Sequence, residues 1–329
     1  MDITKEALLT SLQDVERLSG GGKWARLFSK PQNYVQAVGF HRLVYPLTRK
    51  GICKKRITFF GTPMSLMLPA ATDIYLTGGK THPSEIRLSR FIINELNPND
   101  HFLDVGAHYG FFSLLAAQLV GSQGRVIALE ASPNNFRILD QNTQAFASNL
   151  IALQSPVSDR QHSIPFYEFP LLYSEYNTFH VQQFAETKWF AQYPPIPVMV
   201  ETTTIDIITN EYKIFPKIIK IDVEGAEYDV LNGAANYLAN NSPMIVMEYL
   251  APNRSNEAHQ QSAGFLRMLG YQSFSINQSG KLDLCKNIEE YLAKQKQDSD
   301  NIVFKKEDAN TNGFLTEEEP PNPERVEHE

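Results

Sequence analysis

The stretch FLDVGAHYGFFSLLAAQL, Phe102 to Leu119, decides the fold. An apolar run closes on Asp104 and Val105. Gly106 and Gly110 follow, four residues apart. Phe111, Leu114, Leu115 and Leu119 then recur at helical spacing, which gives the following helix a core side. The stretch reads as strand, glycine turn, helix. Working outward, RVIALEAS reads as a strand, PNNFRILDQNTQAF as a helix and LIALQSPVS as a strand. After an irregular stretch come IIKIDV, a helix over AEYDVLNGAANYLAN, PMIVMEYL, a helix within 256–269, and YQSFSIN. Short apolar strands alternating with helices predict an α/β fold, a parallel sheet with helices on both faces. Residues 161–200 break the rhythm with aromatics and prolines. They read as an insertion over one edge of the sheet.

The ends differ from this middle. Residues 1–20 predict an amphipathic helix on Leu8, Leu9, Leu12, Val15 and Leu18, ended by three glycines at 20–22. From Lys23 to Arg56 nine lysines and arginines occur with no Asp or Glu between them. The stretch 307–329 carries eight acids, one arginine and several prolines, a composition that predicts disorder. Three parts are therefore expected: a basic helical extension over 1–77, the α/β domain over 78–306, and an acidic tail over 307–329. A chain of 329 residues with a charged fraction of 20% fits a globular protein. Its net charge of -7 argues against a dedicated nucleic-acid binder. The two cysteines, Cys53 and Cys285, offer neither a disulfide framework nor metal-ligand spacing. No secretory signal and no apolar run near the roughly 18 residues of a membrane span is visible. A cytoplasmic location is expected.

In a doubly wound sheet, ligands sit beyond the carboxyl ends of the strands where strand order reverses. Gly106 and Gly110 let backbone approach a ligand there. Glu130 ends the next strand twenty residues after Gly110, where an acid accepts hydrogen bonds from ribose hydroxyls. The pattern departs from the dinucleotide fingerprint, because His108 stands where a second glycine would admit a pyrophosphate. A nucleoside without that pyrophosphate, bearing a cationic or amine group near Asp104, fits better. S-adenosylmethionine meets both conditions.

The segment IIKIDVEGAEYDVL, Ile218 to Leu231, resembles the signature of FkbM-type methyltransferases. LDVGAHYGFFSLLAA, VIALEASPNNFRIL, TTTIDII and PMIVMEY resemble that family in its order, and LGYQSFSI and NIVF resemble its closing strands. The resemblance implies a class I, Rossmann-like methyltransferase: a seven-stranded, mostly parallel sheet using S-adenosylmethionine to methylate a hydroxyl of a carbohydrate-like or secondary-metabolite acceptor. By position it assigns Asp104, Gly106, Ala107, His108 and Gly110 to the amino-acid side of the cofactor. Glu130 would meet the ribose, flanked by Ala131 and Ser132, and Ser155 and Pro156 would lie near the adenine. Glu85 matches an acid upstream of the first strand. The family usually has Asn where this chain has His108.

A hydroxyl acceptor is a poor nucleophile while protonated, so a general base is needed. Asp222, Glu224 and Glu248 come from adjacent strand ends and are the candidate acceptor-side residues. Glu224 and Glu227 also suit a helix N-terminus by dipole alone, and Lys220 serves either the site or a structural ion pair. No spacing fixes a metal, so none is expected. Tyr173, Tyr176, Phe179 and Trp189 form either an acceptor lid or additional core. The basic stretch 23–56 is either a solvated helical face or a contact for anionic substrates or a membrane surface. Two rival functions stay open: a degenerate methyltransferase fold kept for binding, which an obstructing His108 would favour, and an NAD-dependent oxidoreductase on a similar sheet.

Overall fold

The computed structural model describes residues 4–306, except Glu186 and Ser255. The acidic tail lies outside the described residues. Two short strands, β1 (Ile52–Ile57) and β2 (Pro63–Leu68), pair antiparallel ahead of the main sheet. The main sheet begins with β3 (His101–Val105), β4 (Arg125–Leu129) and β5 (Leu150–Leu153). A separate antiparallel ribbon follows, β6 (Ser163–Glu168) with β7 (Ile196–Glu201). The main sheet resumes with β8 (Ile218–Ile221), β9 (Met244–Leu250), β10 (Tyr271–Ile276), β11 (Leu282–Leu284) and β12 (Ser299–Lys306). Its order is β11-β10-β12-β9-β8-β3-β4-β5.

The five strands β5, β4, β3, β8 and β9 run parallel, whereas β12 lies antiparallel between β9 and β10. Seven of the strands follow the expected class I arrangement. The eighth, β11, is a hairpin return from β10. Its turn is closed by the Asn277 side chain, which accepts from the backbone N–H groups of Ser279 and Lys281. Consecutive strand residues face opposite cores. Phe102, Val126 and Ile218 join the core on one face, and Leu103, Ile127 and Ile219 that on the other. Burial on both faces is why these strands read as unbroken apolar runs.

Three features correct the sequence reading. The N-terminal extension is not wholly helical, since β1 and β2 form a hairpin within it. The Asn142 side chain holds β2 in place: it accepts from the Ser65 N–H at 2.7 Å and donates to the Ser65 carbonyl at 3.0 Å. The helix expected over AEYDVLNGAANYLAN is two, Glu227–Asn232 and Ala235–Asn240. Gly233 sits at the break, against backbone: a Cβ there would run into the Ser158 carbonyl. Finally, the segment 161–200 does not stay at the sheet edge. Thr178 Oγ1 and Gln183 Nε2 both donate to the Glu224 carbonyl, which draws the segment across the carboxyl ends of the strands.

Strand order reverses between β3 and β8, which are hydrogen-bonded neighbours although four strands lie between them in sequence. The crevice beyond their ends is the topological switch point. Among the described residues, no helix is long and apolar enough to cross a membrane.

Candidate active site

The loop after β3 is shaped by three left-handed residues, Gly106, His108 and Gly110, with φ of 81°, 51° and 87°. The N–H groups of Gly106 and Ala107 both donate to the Leu129 carbonyl at 2.9 Å, which ties the ends of β3 and β4 together. Gly106 is required twice over. Its φ disfavours a side chain, and a Cβ there would collide with the Asp222 carbonyl oxygen. His108 takes up a left-handed conformation that Asn, Asp and His tolerate better than other non-glycine residues.

A cavity of about 370 Å³ opens at this point. Ten of the expected residues line it: Glu85, Gly106, His108, Glu130, Ala131, Ser155, Pro156, Asp222, Glu224 and Glu248. Four expected contacts do not, and their positions explain why. Asp104 is 1% exposed between the strands, where it accepts a hydrogen bond from Ser113 and lies 3.5 Å from the Lys220 ammonium. Ala107 and Gly110 shape the turn: Gly110 N–H donates to the Ala107 carbonyl at 2.8 Å. Ser132 caps the helix Pro133–Thr143, accepting from Asn135 N–H, and donates its hydroxyl to Glu168. These four hold the wall from behind.

Glu130 follows β4 and faces the cavity. Its carboxylate accepts from His108 N–H at 2.8 Å, Ser132 N–H at 3.0 Å and Asn135 Nδ2 at 3.3 Å. Burial nevertheless raises its pKa to about 7, despite those donors. The His108 imidazole stacks on the Tyr109 ring at 3.7 Å between centroids, and its Nε2 lies 3.2 Å from the Ser174 hydroxyl. Burial lowers its pKa to about 4, so the ring is neutral at physiological pH.

On the opposite wall stand Asp222, Glu224 and Glu248. Each offers a carboxylate oxygen, and the three oxygens lie within 4.8 Å of one another. A hard divalent cation accepts such a donor set, and so does a proton shared among acids. The Lys220 ammonium donates to Asp222 at 3.1 Å. Burial pushes Asp222 up, but the lysine charge outweighs it and holds the carboxyl below its usual range. Burial and the neighbouring Glu248 and Asp222 drive Glu224 well above that range. Burial and Asp222 raise Glu248 to about 7. Asp222 is thus the ionised member, and its two neighbours keep protons more readily. Glu227 faces away from the three. Its Oε1 accepts from the N–H groups of Val223 and Gly225, so it fixes the loop that carries Glu224.

Several wall residues carried no signal in the sequence. Lys80 reaches Glu85 at 2.9 Å and Glu175 at 3.3 Å, joining the segment before the helix Pro83–Glu95 to the aromatic insertion. Asn135, Ser174, Arg254 and Asn301 also line the cavity. Lys80 lies five residues before Glu85, close enough to have been considered with it. Glu175 and Arg254 lie on the short 3₁₀ helices Leu171–Tyr176 and Pro252–Arg254, and only the fold brings them here. Of the four aromatics singled out, Tyr176 and Phe179 line the cavity. Tyr173 and Trp189 stack on each other at 4.3 Å.

The chain is similar to several known proteins. The family model described as "Methyltransferase FkbM domain" matches residues 104–273, just over half of the chain. A curated relative, the hexuronic acid methyltransferase AglP of Haloferax volcanii, is 23% identical over 158 residues. That match covers 48% of this chain and 59% of the relative, so the chain spans little more than half the relative's length. A solved methyltransferase FkbM from Methylobacillus flagellatus KT aligns with a TM-score of 0.39 and 16% identity, over 71% of this chain and 52% of that one. An O-methyltransferase from Bacillus cereus, solved in complex with SAH, aligns with a TM-score of 0.37 and 11% identity, over 68% and 81%. With the family model spanning the glycine loop, Glu130, the three acids and the strands that carry them, the chain belongs to the FkbM methyltransferase family, whose methyl donor is S-adenosylmethionine.

Proposed function

We propose that this chain is an S-adenosylmethionine-dependent O-methyltransferase acting on a hydroxyl of a carbohydrate-like or secondary-metabolite acceptor. The observation that carries this reading is the meeting, in one cavity, of the Gly106–Glu130 wall with the Asp222, Glu224 and Glu248 carboxylates. The wall fits the donor. A glycine cradle that a Cβ would fill and a strand-end carboxylate suit a nucleoside, and the cavity is of the size of small-molecule sites. Gly106, His108, Glu130, Ala131, Ser155 and Pro156 would hold it, with Glu85 and Lys80 at the amino-acid end. When bound, S-adenosylmethionine supplies a methyl carbon already activated by its sulfonium.

The protein's part is positioning and proton removal. Asp222, kept ionised by Lys220, takes the acceptor hydroxyl proton directly or hands it to Glu248. Tyr176 and Phe179 cover the opening and limit water. Arg254 in the same wall offers a guanidinium to an acidic acceptor such as a uronic acid, the class named in the curated relative. His108 is folded onto Tyr109 within the wall, with the cavity still open beside it, which favours catalysis over a degenerate binding role.

The test is incubation with methyl-labelled S-adenosylmethionine and a panel of uronic acids and neutral sugars. Label on a sugar hydroxyl as a base-stable ether is expected, with uronic acids preferred. Absence of transfer to every sugar, or a base-labile ester instead of an ether, contradicts the proposal.

A further inference from the structure

Methyl transfer leaves the N-terminal helices without a role, and their surface is unusual. Trp24 and Phe28, four residues apart on the helix Gly22–Ser29, are 69% and 77% exposed and stack on each other at 6.0 Å. The next helical run, Pro31 to Thr48, turns Ala37, Phe40 and Tyr45 inward. It leaves Val35, Leu43 and Leu47 outside, up to 86% exposed and separated by eight and four residues, so they share a face. Large apolar side chains clustered on solvent mark an interaction surface.

Along this stretch of chain the charge has one sign. Arg42, Arg49, Lys50 and Lys55 are exposed, and from Trp24 to Arg56 the chain has no acid. None of these cations forms an ion pair among the described residues. Such a surface stands out on a protein whose net charge is -7.

We propose that this face docks on an anionic membrane, with Trp24, Phe28 and Leu47 entering the headgroup boundary and Arg42, Lys50 and Lys55 meeting lipid phosphates. Helices rich in Lys and Arg with Trp, Phe and Leu lie in the interface in this way. A second copy meeting it face to face would set like charges against like. A nucleic acid would pair with the cations but leave the aliphatic residues uncovered. The face is also bonded to the segment over the cavity. The Arg49 guanidinium lies 4.3 Å from the Tyr193 ring, Tyr193 packs on Tyr173, and the Leu172 N–H donates to the Tyr45 hydroxyl at 3.1 Å. Docking therefore loads an element that reaches the catalytic opening.

Co-sedimentation of the full chain with vesicles of phosphatidylcholine, alone and mixed with phosphatidylglycerol, tests this. Binding is expected only with the anionic lipid, and less as salt rises. The charge reversals R42E, K50E and K55E together should weaken it roughly a hundredfold. The apolar variant W24S, F28S, L47S should weaken it roughly tenfold or more. Because the chain has two tryptophans, the Trp189→Phe variant isolates Trp24, whose emission should shift to the blue on anionic vesicles. No binding to anionic vesicles overturns the proposal. So does binding untouched by the apolar variant, which would mark the surface as a simple polyanion site. Self-association in lipid-free solution, lost in the apolar variant, would assign the face to a second copy instead.

Discussion

Glu248 lies two residues before the end of β9 with its carboxyl beside two others, and burial together with Asp222 raises its pKa to about 7. A base must be ionised to accept a proton. If Glu248 carries the proton away from the acceptor, the transfer rate should fall as pH drops through about 7 and level off above it. Glu248→Gln should remove that limb and lower the rate at its plateau by about 10²- to 10⁴-fold. A pH–rate profile of wild type and variant checks this; an unchanged limb in the variant would move the titration to another group. At this scale the sequence was most informative where the signal was local. Gly106, Glu130 and Asp222 each stand at the end of an apolar strand, so their places follow from the strands themselves. Asp104 shows the limit of that rule. It ends no strand but pairs in register with Lys220 on the neighbouring strand, and its carboxyl turns into the sheet rather than toward the cavity.

The pairing of β3 with β8 is the element on which the site rests. It aligns Asp104 with Lys220, and both side chains are almost wholly buried, 1% and 4% exposed. Lys220 neutralises Asp104 within the sheet and Asp222 at its end. Replacing it by Met should cost about 3–5 kcal/mol in a urea titration, because Asp104 is left as an unpaired buried charge. Removing both charges, with Lys220→Met and Asp104→Leu together, should recover much of that loss. A single variant as stable as wild type would show that solvent already screens the pair. Elements were legible in proportion to how continuous their apolar runs were. The strands of the main sheet, buried on both faces, stood out. The hairpins β1–β2 and β6–β7 did not. ICKKRI alternates half-buried with exposed residues inside a basic run, and Pro165 and Pro197 obscure the strands that carry them. The break at Gly233 needed a contact with Ser158 that no local pattern announces.

At the scale of the whole molecule, the fold brings four distant stretches to one opening. The glycine loop and Glu130 form one wall, the strand-end acids another. The segment around Lys80 and Glu85 closes one side, and the aromatic insertion covers the top through Ser174, Glu175 and Tyr176. The first two walls could be read from the sequence because parallel sheets always present their carboxyl ends together. For the last two, Glu85 and the aromatic insertion were expected near the site, but the contact of Lys80 with Glu175, ninety-five positions apart with several strands and helices between them, was not. On the proposed reading, the four stretches together hold the methyl donor. Calorimetric titration of S-adenosylmethionine into wild type and Glu130→Ala tests that most directly. The wild type should bind saturably, and the variant should bind about tenfold to a hundredfold more weakly, the loss of a hydrogen-bonding carboxylate. No heat of binding at millimolar donor, equal affinity in the two proteins, or binding of NAD in its place would contradict it.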